Sequence, residues 1–163
     1  MKLRFFFALA LVVVLSSAGV AAPQDVSVVT GTSVAVIVNS DNAVDKLSMA
    51  ELQQIVLGEK RSWNAKTPIM LMMRNDQSHE RTIILRKICR MTEGEYHQYW
   101  TGKIFRGEAT SEPVVVPSIG TALDFVSSVK GGISFVEATS PRPGIKILRI
   151  DGHLPTEPGY PLQ

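Results

Sequence analysis

Val34-Ala35-Val36-Ile37-Val38 is an unbroken apolar run in which every residue but Ala35 is β-branched. A strand with one wet face alternates apolar and polar residues, whereas an unbroken run of this kind reads as a strand covered on both faces. Such a strand needs layers of helix above and below its sheet, and the downstream sequence supplies helical segments between further strand-like runs. Ile69-Met70-Leu71-Met72-Met73, Pro113-Val114-Val115-Val116-Pro117, Ile133-Ser134-Phe135-Val136 and Ile145–Ile150 read as strands. The two prolines around Val114–Val116 place that stretch at a sheet edge or a strand end. The expectation is an α/β fold, a mostly parallel sheet flanked by helices.

The helices carry their own punctuation. Ser48 with Glu51 forms a capping box, the hydroxyl accepting from a free N–H and the carboxylate reaching back to the cap. Leu52, Ile55 and Val56 give that helix its apolar stripe, and Gly58 supplies a left-handed stop. Ser78 caps the next helix, with Ile84, Leu85, Ile88 and Cys89 at helical spacing, and Cys89 reads as a small buried hydrophobe. Thr92 and Glu95 form a second capping box ahead of Tyr96, Tyr99 and Trp100. Ser118 opens a last helix that Gly131-Gly132 ends. The alternating methionines at 70, 72 and 73 read as core. The proline-rich stretch 153–163 reads as an extended tail following an α/β domain over 23–152.

Residues 1–22 have the zones of a secretory signal: Lys2 and Arg4, an apolar run from Phe5 to Leu15, then small residues through Ala22. The run is half of the roughly 20 residues a membrane-spanning helix needs. No cysteine follows it to carry a lipid. The expected chain is therefore periplasmic or secreted, and not membrane-spanning once the leader is removed. The whole sequence has 17 Lys and Arg against 15 Asp and Glu, and the surplus resides in Lys2 and Arg4. A balanced chain with no basic cluster argues against a nucleic-acid partner. One cysteine excludes an internal disulfide, and the scattered His79, His97 and His153 give no metal-ligand spacing. No cofactor is expected.

Arg74-Asn75-Asp76-Gln77-Ser78-His79-Glu80-Arg81 is the segment with the most chemistry. It runs from the end of a strand into the first turn of a helix, where α/β folds commonly place ligands. Free N–H groups there favour an anion. Ser78 offers a hydroxyl, and Arg74 or Arg81 a forked, charged donor pair. The same residues also fit an ordinary helix cap with solvated arginines. Asp76, Ser78 and His79 include hydrolase-triad residue types, but adjacent helical residues diverge by about 100° around the axis and triad partners come from separate segments. No spaced acid–base pair, activated nucleophile or nucleotide loop stands out, so an enzyme is not expected. Tyr96, Tyr99 and Trp100 lie at helical spacing and are more simply packing than a sugar or base platform.

Taken together, several segments resemble the phosphate-binding proteins of ABC-type phosphate importers. Leu47-Ser48-Met49-Ala50-Glu51-Leu52, Ile55-Val56-Leu57-Gly58-Glu59 and the loop tryptophan Trp63 resemble one stretch of that family. Met72-Met73-Arg74-Asn75-Asp76-Gln77-Ser78 resembles its arginine, aspartate and serine before a helix. Gly131-Gly132-Ile133-Ser134-Phe135-Val136 resembles a glycine-led strand, and Tyr99-Trp100 with Phe105-Arg106-Gly107 is similar to short, stand-alone members of the superfamily. The resemblance implies a type II periplasmic binding protein fold, here a single lobe, since only about 140 residues follow the leader. It implies a small oxyanion such as phosphate as ligand and an ABC permease or membrane sensor as partner. Arg74 matches the phosphate-contacting arginine and Ser78 the serine at the helix start, while Asp76 matches an intervening acidic position. His79 and Glu80 stand where the importers have glycine and threonine. Glu80 brings a negative charge toward the anion's place, which Arg81 offsets by pairing with it or by facing the ligand. The implied ligand set is Arg74, Ser78, His79, Glu80 and Arg81. The departures leave a second outcome open: a periplasmic interaction module of the same fold that has lost its ligand.

Overall fold

The computed structural model describes residues 33–138 and 142–163. The expected leader, residues 1–22, lies outside them. The elements run in the order β1 (Val34–Asn39), β2 (Lys46–Leu47), α1 (Met49–Val56), β3 (Ser62–Asn64), β4 (Thr67–Pro68), β5 (Met70–Arg74) and α2 (His79–Ile84). A π-helical turn, Leu85–Cys89, follows, then α3 (Glu93–Phe105), β6 (Val114–Val116), α4 (Ile119–Ser128), β7 (Gly132–Glu137), β8 (Ile145–Ile147) and β9 (Arg149–Ile150).

Five strands form the central sheet in the order β6-β5-β7-β1-β8. β5 is parallel to β6 and β7, while β1 is antiparallel to β7 and β8. Four strands therefore run one way and β1 alone runs against them. β2 with β9 and β3 with β4 make two small accessory pairs.

The apolar run at 34–38 is buried throughout, and its alternate residues serve two cores. Val34, Val36 and Val38 pack with Leu52, Ile55, Ile84, Ile88, Tyr96 and Trp100, beneath α1, α2 and α3. Ala35 and Ile37 pack with Ala122, Leu123 and Val126 of α4 on the opposite face. Burial on both faces is why no polar residue interrupts the run.

Both capping boxes form. Ser48 Oγ accepts from the Glu51 N–H at 3.2 Å and the Glu51 carboxylate returns to the Ser48 N–H at 3.1 Å. Thr92 and Glu95 repeat the pattern. Gly58 ends α1 at a φ of 65°, and a Cβ there would lie 2.5 Å from a ring carbon of Trp100, so conformation and contact both require glycine.

Three features depart from the sequence reading. The expected single helix through Cys89 is α2 followed by the π turn, which ends at Arg90 with a left-handed φ of 55°. The Ile88 carbonyl, in the last turn and so without an intrahelical partner, accepts from Gln53 Nε2 at 2.9 Å, tying the segment to α1. Met73 is core, but Met70 is 44% exposed and Met72 only half-buried: the short edge strand β6 begins opposite Met72, so Met70 lies beyond its end. The C-terminal stretch is folded rather than extended. Tyr160 and Leu162 are buried in the same core as β1. The Tyr160 hydroxyl donates to the Val34 carbonyl at 2.7 Å, and the Val34 N–H donates to the Leu162 carbonyl at 2.9 Å. No described helix is long and apolar enough to cross a membrane.

Candidate functional site

The polar turn begins where β5 ends. Arg74 is the last residue of that strand, and its Nη1 donates to the Val116 carbonyl at the end of β6, 3.1 Å away. The guanidinium is thus held at the carboxyl ends of two parallel strands, beside the starts of α2 and α4. Asp76 and Gln77 are exposed at the apex. The Ser78 N–H donates to the Asn75 carbonyl at 3.0 Å, closing the turn, and Ser78 Oγ accepts from the Arg81 N–H at 3.2 Å as the N-cap of α2.

Each arginine meets a carboxylate. Arg74 Nε lies 3.5 Å from Glu80 Oε1, with side chains 11% and 4% exposed. The charges attract at this separation, but the two atoms are not aligned for a hydrogen bond, and both are buried without another partner. Arg81 pairs with neither Glu80 nor open space. Its Nη2 donates to Glu93 Oε1 at 2.5 Å and its Nε to Glu93 Oε2 at 2.9 Å, while Nη1 donates to the Arg74 carbonyl at 3.2 Å. Its guanidinium also lies 5.5 Å from the centre of the Tyr96 ring. Burial opposes the Arg81 charge, and the Glu93 hydrogen bonds and charge outweigh it, so its pKa stands above the ordinary arginine value. His79 is exposed in the first helical turn.

The structure therefore gathers Arg74, Ser78, Glu80 and Arg81 on one strand–turn–helix unit, with both guanidiniums engaged from within the chain. Sequence reasoning missed Glu93, which comes from α3. It also missed the links beyond it: His97 Nε2 lies 3.3 Å from Glu93 Oε1, and His97 Nδ1 lies 3.0 Å from Glu112 Oε2. Glu93 and His97 are four apart on one helix, a visible spacing, but nothing local pointed them toward Arg81.

The other candidates settle as structure. Tyr96 and Trp100 meet edge to face with centroids 6.2 Å apart, and Trp100 is 5% exposed, so the aromatic trio packs the core. Burial raises the Cys89 thiol to about 12 against the opposing influence of Arg81, which leaves it protonated and inert. Among the described residues no group of three His, Cys, Asp or Glu is placed to hold a metal ion. A groove of about 560 Å³ is lined by Ile69, Met70, Leu71, Trp100 and Val114 among others, and by no residue of the arginine turn.

No protein-family model matches the sequence, and no curated protein matches it. Solved structures do. A Clostridium perfringens protein assigned as a phosphate ABC transporter substrate-binding protein, and solved with bound phosphate, aligns at a TM-score of 0.61 and 17% identity over 76% of this chain and 47% of its own. An ABC-type phosphate transport receptor from Vibrio cholerae aligns at 0.60 and 18% over 76% and 48%. PstS from Borrelia burgdorferi aligns at 0.64 and 17% over 80% and 53%. The fold is that of one substrate-binding-protein lobe. The chain spans about half the length of these proteins, and at such identities the likeness concerns the fold alone.

Proposed function

We propose that the chain is an exported, solute-binding-like protein built as a single lobe, which takes a phosphate-class oxyanion at the Arg74–Ser78 turn and serves an ABC permease or a membrane sensor. The reading is a binding role and not an enzymatic one. The observation that supports it is the seating of Arg74: a guanidinium fixed to the Val116 carbonyl at the carboxyl ends of two parallel strands, next to a serine-capped helix start. Ligands of open α/β sheets lie at that end, and a planar, forked cation suits a tetrahedral oxyanion. With a single lobe the anion keeps one side in water, where each hydrogen bond gains less than in a closed site. Weaker binding than in a closed cleft follows.

Titration calorimetry with millimolar phosphate tests this. Saturable heat that is lost in Arg74→Ala and reduced in Ser78→Ala supports the reading. Absence of heat, with no rise in melting temperature, overturns it.

The second reading, an interaction module without a ligand, is favoured by the pairing of both arginines with carboxylates of the same chain. It expects Arg74→Ala to leave function intact, and a tight stoichiometric phosphate complex would exclude it as the main role.

A further inference from the structure

Glu80 has no counterpart among the donors an anion seat requires, yet it is the least exposed carboxylate of the turn. Its side chain is 4% exposed and faces Arg74 at 3.5 Å. Two properties of this contact are unusual together. Both Glu80 Oε1 and Arg74 Nε are buried and lack a hydrogen bond, and buried groups of this kind nearly always find one. Arg81, the one other guanidinium at the turn, is unable to relieve Glu80, because its donors are directed to Glu93 and to the Arg74 carbonyl. Arg74 itself is fixed from the far side by the Val116 carbonyl, so its guanidinium stays in place whether or not Glu80 does. The pair is therefore close in charge and poor in alignment, with Arg74 held independently by Val116.

We propose that Glu80 is a built-in competitor for the oxyanion: its carboxylate takes the guanidinium edge that an incoming anion needs, and binding displaces it. This rests on the functional reading above and deepens it. A bound anion facing an undisplaced Glu80 would meet like charge at contact distance, which is unfavourable. An anion that supplants Glu80 instead gives Arg74 Nε the aligned acceptor it lacks. The carboxylate comes from the third residue of the segment Ser78-His79-Glu80, so it moves with the start of α2. The consequence is a seat whose affinity is set by an internal group, weak at rest and strengthened when Glu80 is neutralised or withdrawn.

The experiment is phosphate titration of the wild type, Glu80→Gln, Glu80→Thr and Arg74→Gln by calorimetry, with melting curves to establish folding. The proposal expects Glu80→Gln and Glu80→Thr to bind phosphate at least about tenfold more tightly than wild type, equivalent to about 1.4 kcal/mol, and Arg74→Gln to lose binding. Folded Glu80 variants that bind no more tightly, while Arg74→Gln still loses binding, overturn the competitor and leave the oxyanion site standing. No binding by any form overturns the functional reading and the competitor with it. A measurement on the unaltered chain guards against misfolded variants: in a phosphate titration followed by nuclear magnetic resonance, the Arg74 Nε–H and Glu80 carboxyl-carbon signals must move together. Movement of Arg74 alone means Glu80 is not displaced and refutes the proposal.

Discussion

The pair Arg81–Glu93 joins a guanidinium 3% exposed to a carboxylate 33% exposed, and that asymmetry gives a quantitative expectation. Replacing Glu93 with Gln leaves a buried cation without its counter-charge. Removing one partner of a buried pair costs about 3–5 kcal/mol. The retained amide oxygen still accepts one hydrogen bond, so the lower end, about 3 kcal/mol, applies. Replacing Arg81 with Met removes the cation itself. Glu93 then turns to water at little cost, the methionine fills much of the space over Tyr96, and the main loss is the donor to the Arg74 carbonyl, about 1–3 kcal/mol for an orphaned acceptor. The need to strip water from the guanidinium disappears as well, which offsets part of that loss. Glu93→Gln should therefore destabilise by about 3 kcal/mol and Arg81→Met by about 1–2 kcal/mol. For a domain of this size each kcal/mol moves the midpoint roughly 3–5 °C, so the variants melt roughly 9–15 °C and roughly 3–10 °C below wild type. Urea unfolding with unchanged slopes measures both energies. Should Arg81→Met prove as damaging as Glu93→Gln or more so, the guanidinium is a net stabiliser and the reasoning about buried charge fails here.

Two further expectations follow from the folded framework. Gly58→Ala forces a side chain onto Trp100 and into a left-handed backbone at once, and should cost about 2–3 kcal/mol by the combined penalties for strain and overpacking; a melt within one degree of wild type refutes both requirements. The Glu51 carboxyl is held below its ordinary value of 4.5, first by the Ser48 backbone N–H and then by Lys60 and the Ser48 hydroxyl. A depressed carboxyl adds stability above its unfolded value and loses it as pH falls through the lower folded value. Glu51→Gln should accordingly melt lower than wild type at neutral pH and decline less steeply below pH 4.5; parallel decline of the two would refute the capping contribution.

What could be read from the residues was local. Ser48 with Glu51 and Thr92 with Glu95 specify their helix starts within four residues, and Gly58 its stop, so these boundaries needed no tertiary knowledge. Val34–Val38 announced a strand covered on both faces for the same reason: burial leaves its mark residue by residue. The turn from Arg74 to Arg81 is also continuous in sequence, which is why its members were identified together. The partner of Arg81 was hidden because Glu93 is brought to it by the π turn and the left-handed Arg90, neither carrying a glycine or proline signal. The exposure of Met70 depends on how short β6 is, and the contrary direction of β1 depends on pairings with β7 and β8, far later in the chain. The tail misled because proline suggests extension, while Tyr160 and Leu162 owe their burial to the bare edge of β1 near Val34.

That last contact has a bearing on how the molecule is made. Val34 opens the described fold, and Tyr160, 126 positions later, is needed to satisfy its carbonyl. A ring of that span is closed late, since the ends of a long loop meet at higher entropic cost than those of a short one. The strand at 34–39 therefore stays incompletely fastened until Tyr160 and Leu162 have folded back onto it, and this junction is among the last to form.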